Sequence, residues 1–180
     1  MRHSSFLLTG DAGTGKTFAL RNIIKHLREN GNKVLVTSST GISCTPLNDT
    51  GAKTVHSTFG LKDGRYTNDQ LKFLFADSSD SYYTSRKLSI KDTDTLVVDE
   101  ISMISMRTLD QIDVVCRLAK DSAKPMGGLQ CIFVGDFLQF PPVPNEMTQD
   151  PGTHCFNHHH FRNMVPHTIR LVEVNKLAVL

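Results

Sequence analysis

The chain has 180 residues, of which 39% are hydrophobic and 21% are charged, and its net charge is +2. This size fits one domain with a substantial core. The composition excludes a disordered chain and a histone-like basic coat. No apolar run reaches the ~18 residues of a membrane-spanning helix, so no membrane partner is expected. The cysteines form no CxxC pair, and the first residues are too few and too polar for a signal peptide. We therefore expect an intracellular protein with reduced thiols.

Apolar strands and amphipathic helices alternate along most of the chain. The predicted elements are strands over 5–9, 33–38, 94–99, 129–135 and 169–174, and helices over 17–28 and 106–120. Continuous apolar strands that alternate with helices indicate an α/β fold. Its central sheet is expected to be mostly parallel, with helices on both faces.

Residues 61–94 depart from this alternation. The segment is rich in Asp, Ser, Tyr and Lys around a short apolar cluster at 71–75. We expect a variable insertion that is irregular and partly helical. Nothing in its residues points to a function.

The segment from Gly10 to Thr17 fits the pattern G-x-x-x-x-G-K-[ST] and lies between a predicted strand and a predicted helix. Its glycines allow backbone N–H groups to surround phosphates, and the helix N-terminus adds partial positive charge. Lys16 is expected to reach the β- and γ-phosphates, and the Thr17 hydroxyl to ligate Mg²⁺. The alternative is a glycine-rich turn that precedes a helix by chance. The candidate nucleotide-binding residues are Gly10, Ala12, Gly13, Thr14, Gly15, Lys16, Thr17 and Phe18.

Two carboxylates, Asp99 and Glu100, follow the apolar strand over 94–99. Ligands of parallel sheets bind at the carboxyl ends of the strands. Asp99 is expected to hold Mg²⁺ through water, and Glu100 to orient or deprotonate an attacking water. This pair favours hydrolysis over transfer to a bound acceptor. The alternative is an ordinary strand-end turn with solvated acids.

The segment 135–143, Gly-Asp-Phe-Leu-Gln-Phe-Pro-Pro-Val, also begins at a strand end. The Gln139 amide can donate to a γ-phosphate oxygen and accept from an attacking water. Such a group distinguishes ATP from ADP and can couple hydrolysis to movement. The alternative is a turn that is held in place by packing of the Phe137 and Phe140 side chains.

Together these segments resemble the superfamily 1 DNA helicases of the PIF/RecD-like group, which includes the helicases of Helitron-type mobile elements. The segments 10–17, 97–103 and 135–143 resemble helicase motifs I, II and III, and 40–42 with 54–60 resemble motif Ia. The resemblance extends from residue 6 to about residue 174. The combination of Asp-Glu-Ile-Ser-Met with Gly-Asp-Phe-Leu-Gln is far more specific than a phosphate-binding loop alone.

The resemblance implies an N-terminal RecA-like motor domain over 1–180 that binds ATP and Mg²⁺. It implies 5′-to-3′ movement on single-stranded DNA and unwinding at duplex junctions in repair, recombination and telomere maintenance. The expected location is the nucleus or mitochondrion in a eukaryote and the cytoplasm otherwise. The expected partner is a second helicase domain, in cis or trans. The expected oligomeric state is a monomer.

The resemblance also assigns roles to single residues. It assigns catalytic roles to Lys16, Glu100 and Gln139, metal-binding roles to Thr17 and Asp99, and positions on or near the DNA to Thr40, His56 and Phe59. Aromatic rings and hydroxyl groups suit strand binding that is blind to sequence. Core packing is the alternative for His56 and Phe59.

The chain departs from the family pattern in three places. No adenine-reading segment precedes the phosphate-binding loop, 175–177 reads Asn-Lys-Leu where relatives carry Arg-Gln, and the later motifs with their arginine finger are missing from the 180 residues. Because an arginine finger accelerates hydrolysis by ~10³–10⁵-fold, we expect these residues alone to hydrolyse ATP slowly. Two alternatives stay open. One is a helicase remnant that binds nucleotide or DNA with little turnover, and the other is a nucleoside kinase.

A zinc site is one interpretation of the cluster formed by His154, Cys155 and the three histidines at 158–160. Zinc sites need four ligands at spaced positions with supporting hydrogen bonds. We instead expect a surface segment here.

Overall fold

The structure is a computed structural model that describes residues 4–172. Six strands and seven α-helices lie within this range. The strands are β1 (Phe6–Gly10), β2 (Val34–Ser38), β3 (Lys53–Thr54), β4 (Thr95–Asp99), β5 (Gln130–Val134) and β6 (His167–Leu171). The helices are α1 (Lys16–Glu29), α2 (Gly41–Cys44), α3 (Val55–Thr58), α4 (Asn68–Ala76), α5 (Ser81–Lys91), α6 (Met106–Lys120) and α7 (Phe161–Met164).

The six strands form one sheet in the order β3-β2-β4-β5-β1-β6, and every pairing is parallel. The register pairs Ser38 with Asp99 and Leu8 with Val134, so the carboxyl ends of the inner strands share one edge. This arrangement confirms the predicted fold class. The last predicted strand is displaced: β6 ends at Leu171, and residues 173–174 lie outside the described residues.

Each inner strand sends alternate side chains into two apolar layers, as the period of two along a strand requires. Leu96 and Val98 join the layer under α4, α5 and α6, whereas Val97 joins the layer under α1. Buried side chains on both faces explain why these strands are continuous apolar runs. The four cysteines are buried and form no disulfide.

The segment 61–94 is partly helical, as predicted, but it is not irregular: it contributes two regular helices, α4 and α5, to the core. Thr67 and Gln70 form a capping box that begins α4, because each side chain accepts a hydrogen bond from the other residue's backbone N–H. Buried side chains from α4 and α5, including Phe75 and Ile90, lie in the same layer as α6. The Thr-x-x-Gln spacing is a helix-start signal that the sequence prediction missed.

None of the helices within residues 4–172 combines the length and the apolar character that crossing a membrane requires.

Candidate functional site

The phosphate-binding loop joins β1 to α1 and contains left-handed glycines at Gly13 (φ 79°) and Gly15 (φ 86°). A Cβ at Gly10 would lie 2.6 Å from the Leu171 carbonyl oxygen, so β6 leaves room only for glycine there. Lys16 is the first residue of α1, and its Nζ donates to the Gly10 oxygen at 2.7 Å and to the Asp11 oxygen at 3.0 Å. The loop therefore curls around the lysine ammonium.

The other predicted residues of this loop differ in exposure. Ala12 is exposed, while Thr14 and Thr17 are half-buried, and the Thr14 hydroxyl donates to the Asp11 oxygen at 2.8 Å. The Phe18 side chain is 74% exposed. Its ring therefore adds little to the packing of the loop.

Asp99 ends β4 and is buried, and the only hydrogen bond that its side chain receives from the described residues comes from the Glu100 N–H at 3.0 Å. Burial raises the pKa of Asp99 to about 6; the Glu100 carboxylate also raises this pKa, while that N–H and the Lys16 ammonium lower it. Glu100 has left-handed backbone angles, φ 52° and ψ 46°. A non-glycine residue in this conformation is strained, and such strain clusters at functional sites.

The loop after β5 holds Gln139 through Asp136, a residue that the sequence prediction did not single out. The Gln139 Nε2 donates to Asp136 Oδ2 at 2.9 Å, and the Leu138 N–H donates to Asp136 Oδ1 at 3.0 Å. These two hydrogen bonds, with Lys16 and Arg170 nearby, hold the pKa of Asp136 below its ordinary value. Asp136 therefore stays ionised and fixes the orientation of the Gln139 amide.

The three loops lie at neighbouring strand tips. Strand β5 runs between β1 and β4, so the tips that carry Lys16 and Asp99 are separated by two strand spacings, about 10 Å. The Lys16 ammonium lowers the pKa of both Asp99 and Asp136, so it is close enough to interact electrostatically with both carboxylates. This arrangement brings together the predicted residues Lys16, Asp99, Glu100 and Gln139.

Asp99→Asn is expected to stabilise the fold at neutral pH by about 3 kcal/mol. The folded-state pKa of about 6 exceeds the ordinary value of 3.8, so the wild-type protein loses stability as pH rises from about 4 through 6. Asparagine carries no charge to desolvate, so its advantage should vanish below about pH 4. Urea unfolding between pH 4 and pH 8 measures this difference. The exposed Asp121→Asn serves as control, and a variant no more stable than wild type at pH 7.5 would contradict the prediction.

A polar groove of about 330 Å³ lies beside these loops at the same end of the sheet. Thr40, which follows β2, and His56 of α3 both line it, together with the prolines at 142 and 144. Thr40 also caps α2, since its Oγ1 accepts the Ser43 N–H. Burial lowers the pKa of His56. Two of the three residues predicted near DNA thus share one groove.

Phe59 is the third of those residues, and the prediction that its ring lies along the DNA is corrected. The residue is 0% exposed and belongs to the core layer under α4, α5 and α6. A ring without solvent access cannot stack on a base, so the packing alternative holds.

The segment 154–160 is only partly a surface segment, which corrects a second prediction. His158 is buried, and its Nε2 lies 3.1 Å from Asp110 Oδ1 of α6, while its Nδ1 accepts the His160 N–H. Because Nδ1 is an acceptor, the proton of the neutral ring is on Nε2 and is donated to Asp110. This histidine anchors the loop to α6.

Arg107 and Gln111 of α6 also line the groove, and the sequence prediction missed both. They lie one helical turn apart on the helix that follows Asp99 and Glu100. Their spacing of four residues was a visible sign of a shared face.

A family model described as PIF1-like helicase matches residues 2–179. ATP-dependent DNA helicase PIF1 of Rattus norvegicus is 33% identical over 178 residues, which are 99% of this chain and 26% of that protein. The chain thus spans about a quarter of the length of this relative.

Solved structures show the same relationship. The crystal structure of the Pif1 helicase from Candida albicans superposes with a TM-score of 0.82 at 30% identity, covering 95% of this chain and 36% of that one. The Bacteroides Pif1 helicase in complex with ADP-AlF3 and ssDNA gives a TM-score of 0.74 at 28% identity, covering 95% of this chain and 38% of that one. With the three converging loops, these matches show that the chain belongs to the PIF1-like helicase family.

Proposed function

We propose that this chain is the first motor domain of an ATP-dependent DNA helicase that moves 5′ to 3′ along single-stranded DNA. One observation carries the proposal: the Lys16 loop, the Asp99–Glu100 pair and the Gln139 loop meet at adjacent strand tips, with a polar groove directly beside them. The ATP site and the DNA site would then share the loops that follow β4 and β5. Structural changes at the γ-phosphate could reach the DNA through those loops.

The residues at the strand tips fit a magnesium ion. The donor set of the Thr17 hydroxyl and the Asp99 carboxylate consists of hard oxygen ligands, which Mg²⁺ prefers. Asp99 has one oxygen that no hydrogen bond from the described residues engages. When bound, the cation would neutralise charge that develops on the phosphates. It would also favour the ionised form of Asp99, opposing the effect of burial.

The chain's own residues would divide the remaining work. The backbone N–H groups of the loop and the Lys16 ammonium would bind the β- and γ-phosphates. Glu100 would accept a proton from the attacking water. Gln139, oriented by Asp136, would contact that water or the γ-phosphate.

Three experimental results would support this function. ATP hydrolysis should rise with single-stranded DNA when the chain is fused to the second motor domain of a PIF1-like relative, and the fusion should unwind a 5′-tailed duplex. The unfused 180 residues should hydrolyse ATP slowly in comparison. Phosphorylation of a nucleoside without any effect of DNA would instead indicate a kinase, and binding without turnover in the fusion would indicate a remnant.

Lys16→Ala is expected to weaken ATP binding by about 10- to 100-fold, because a charge-assisted hydrogen bond contributes ~1.5–3 kcal/mol. Isothermal titration calorimetry with ATP and Mg²⁺ measures the change. Lys25→Ala on the same helix is the matched control, since its ammonium is exposed and pairs only weakly with Glu29 at 3.9 Å. Equal losses in the two variants would argue against a phosphate contact by Lys16.

The wider biological assignment is also a proposal. We infer a role in genome maintenance, including repair, recombination and telomere maintenance, within the nucleus or mitochondrion if the source is a eukaryote and in the cytoplasm otherwise. The partners would be single-stranded DNA, duplex junctions and a second helicase domain, and the working unit would be a monomer. Similarity to ATP-dependent DNA helicases of the PIF1 family supports the role on DNA.

A further inference from the structure

The floor of the polar groove contains two buried polar atoms with no hydrogen-bond partner among residues 4–172. Gln111 is 2% exposed; its Nε2 donates to the Tyr66 carbonyl oxygen at 2.6 Å, but its Oε1 accepts no hydrogen bond. Arg107 donates through Nη2 to the same oxygen at 3.2 Å, while its Nε has no partner. Native proteins seldom leave such atoms unpaired, because burial removes their hydration. Both residues line the groove, so a ligand that displaces neighbouring side chains there would supply the acceptor and the donor that these two atoms lack.

The charges around this floor do not attract a phosphate group. Asp63 and Asp150 line the groove together with Arg107, and Arg65 pairs with both Asp63 oxygens, so two carboxylates balance two guanidinium groups. Both Asp150 oxygens accept hydrogen bonds, from the Ser105 hydroxyl and from the Gly152 N–H, which keep this side chain in place. An uncharged ligand with adjacent donor and acceptor atoms fits this environment better than an anion does.

A nucleobase has these properties. The Watson–Crick edge of every base presents at least one donor and one acceptor, and unstacked bases of single strands are held by contacts to those edges. The volume of about 330 Å³ lies in the range of small-molecule sites. The groove also includes Thr40 and His56, so a strand that passes those residues would bring its bases to this floor.

We propose that one base of a bound single strand turns into this groove, where the Arg107 Nε donates to its polar edge and the Gln111 Oε1 accepts from it. The phosphates on either side stay at the rim. This inference rests on the proposed function, because it needs single-stranded DNA as the ligand. It assigns to α6 a base contact that would tolerate any sequence, since all four bases supply both kinds of atom.

The test measures the affinity of the whole chain for an oligothymidine and for an abasic strand of the same length. Both affinities are measured by fluorescence anisotropy at low salt. The wild-type protein should bind the oligothymidine about tenfold more tightly than the abasic strand, because the phosphates are the same and only the base contacts differ. Gln111→Met and Arg107→Gln should each lower this ratio of affinities to nearly one. Affinity for the abasic strand should stay within about twofold of wild type.

Matched controls separate the contact from general damage. Gln130→Met lies at the opposite end of the sheet, and Arg162→Gln lies on the exposed face of α7, so both should keep the wild-type ratio. Thermal unfolding identifies any variant that does not fold. Photo-crosslinking of the wild-type protein to a strand that contains 4-thiothymidine needs no variant at all, and the crosslink should lie on the residues that line the groove.

The possible results separate the two proposals. Equal affinity of the wild-type protein for both strands, or a crosslink far from the groove, would overturn the base pocket and leave DNA binding intact. Failure to bind either strand would count against the DNA-binding function itself.

Discussion

Glu100→Gln is expected to lower the rate of ATP hydrolysis by about 10²–10⁴-fold in a protein that still binds ATP. A neutral amide cannot accept a proton from water, whereas the size of the side chain and the backbone conformation stay the same. Asp99 keeps its carboxylate and its hydrogen bond from the backbone N–H of residue 100, so the cation site should persist. Loss of a nearby negative charge should leave ATP affinity unchanged or slightly increased.

Phosphate release in the fusion protein with saturating single-stranded DNA measures this effect, and calorimetry measures ATP affinity separately. Glu29→Gln is the matched control, because the same change is made on the exposed end of α1. A Glu100→Gln protein that hydrolyses ATP within about tenfold of wild type would exclude general-base catalysis by this residue. Equal losses of hydrolysis and of binding would instead indicate a structural role.

Most of the strands and helices could be predicted from local sequence patterns. The strand at 96–98 is fully apolar because both faces of β4 are covered, and the helix at 106–120 is bounded by a serine cap that accepts the Thr108 N–H. Edge strands gave weaker signals. β6 is largely exposed, so no apolar periodicity marks its ends, and β3 has only two residues that pair with β2.

The nucleotide site could be predicted because each part is a short continuous motif at a strand tip. The groove could not, since separate segments near residues 40, 56, 63, 107 and 143 come together only in the folded chain. Asp136 was missed for a different reason: it touches no expected ligand and acts by holding Gln139. Phe59 was misleading because it is an aromatic residue within a motif associated with DNA. Such a motif also contains residues that pack the core.

Phe59→Ala is expected to destabilise the fold by about 3–5 kcal/mol, the usual cost of removing a buried phenyl ring. The side chain is completely buried and follows α3 at the point where the chain turns through Gly60 toward α5. The Gly60 backbone has φ 67°, and a Cβ there would lie 3.0 Å from the Tyr83 ring, so the turn after Phe59 is closely packed against α5. Urea unfolding measures the loss.

Phe73→Ala is the matched control, because that ring is 75% exposed and its removal should cost less than about 0.5 kcal/mol. Phe59→Leu keeps most of the apolar volume and tests the role of the ring near DNA without unfolding the protein. If Phe59 only packs the core, this variant should bind single-stranded DNA as tightly as wild type. A weaker affinity for DNA with unchanged stability would show that the ring reaches the strand after a conformational change and would contradict a purely structural role for Phe59.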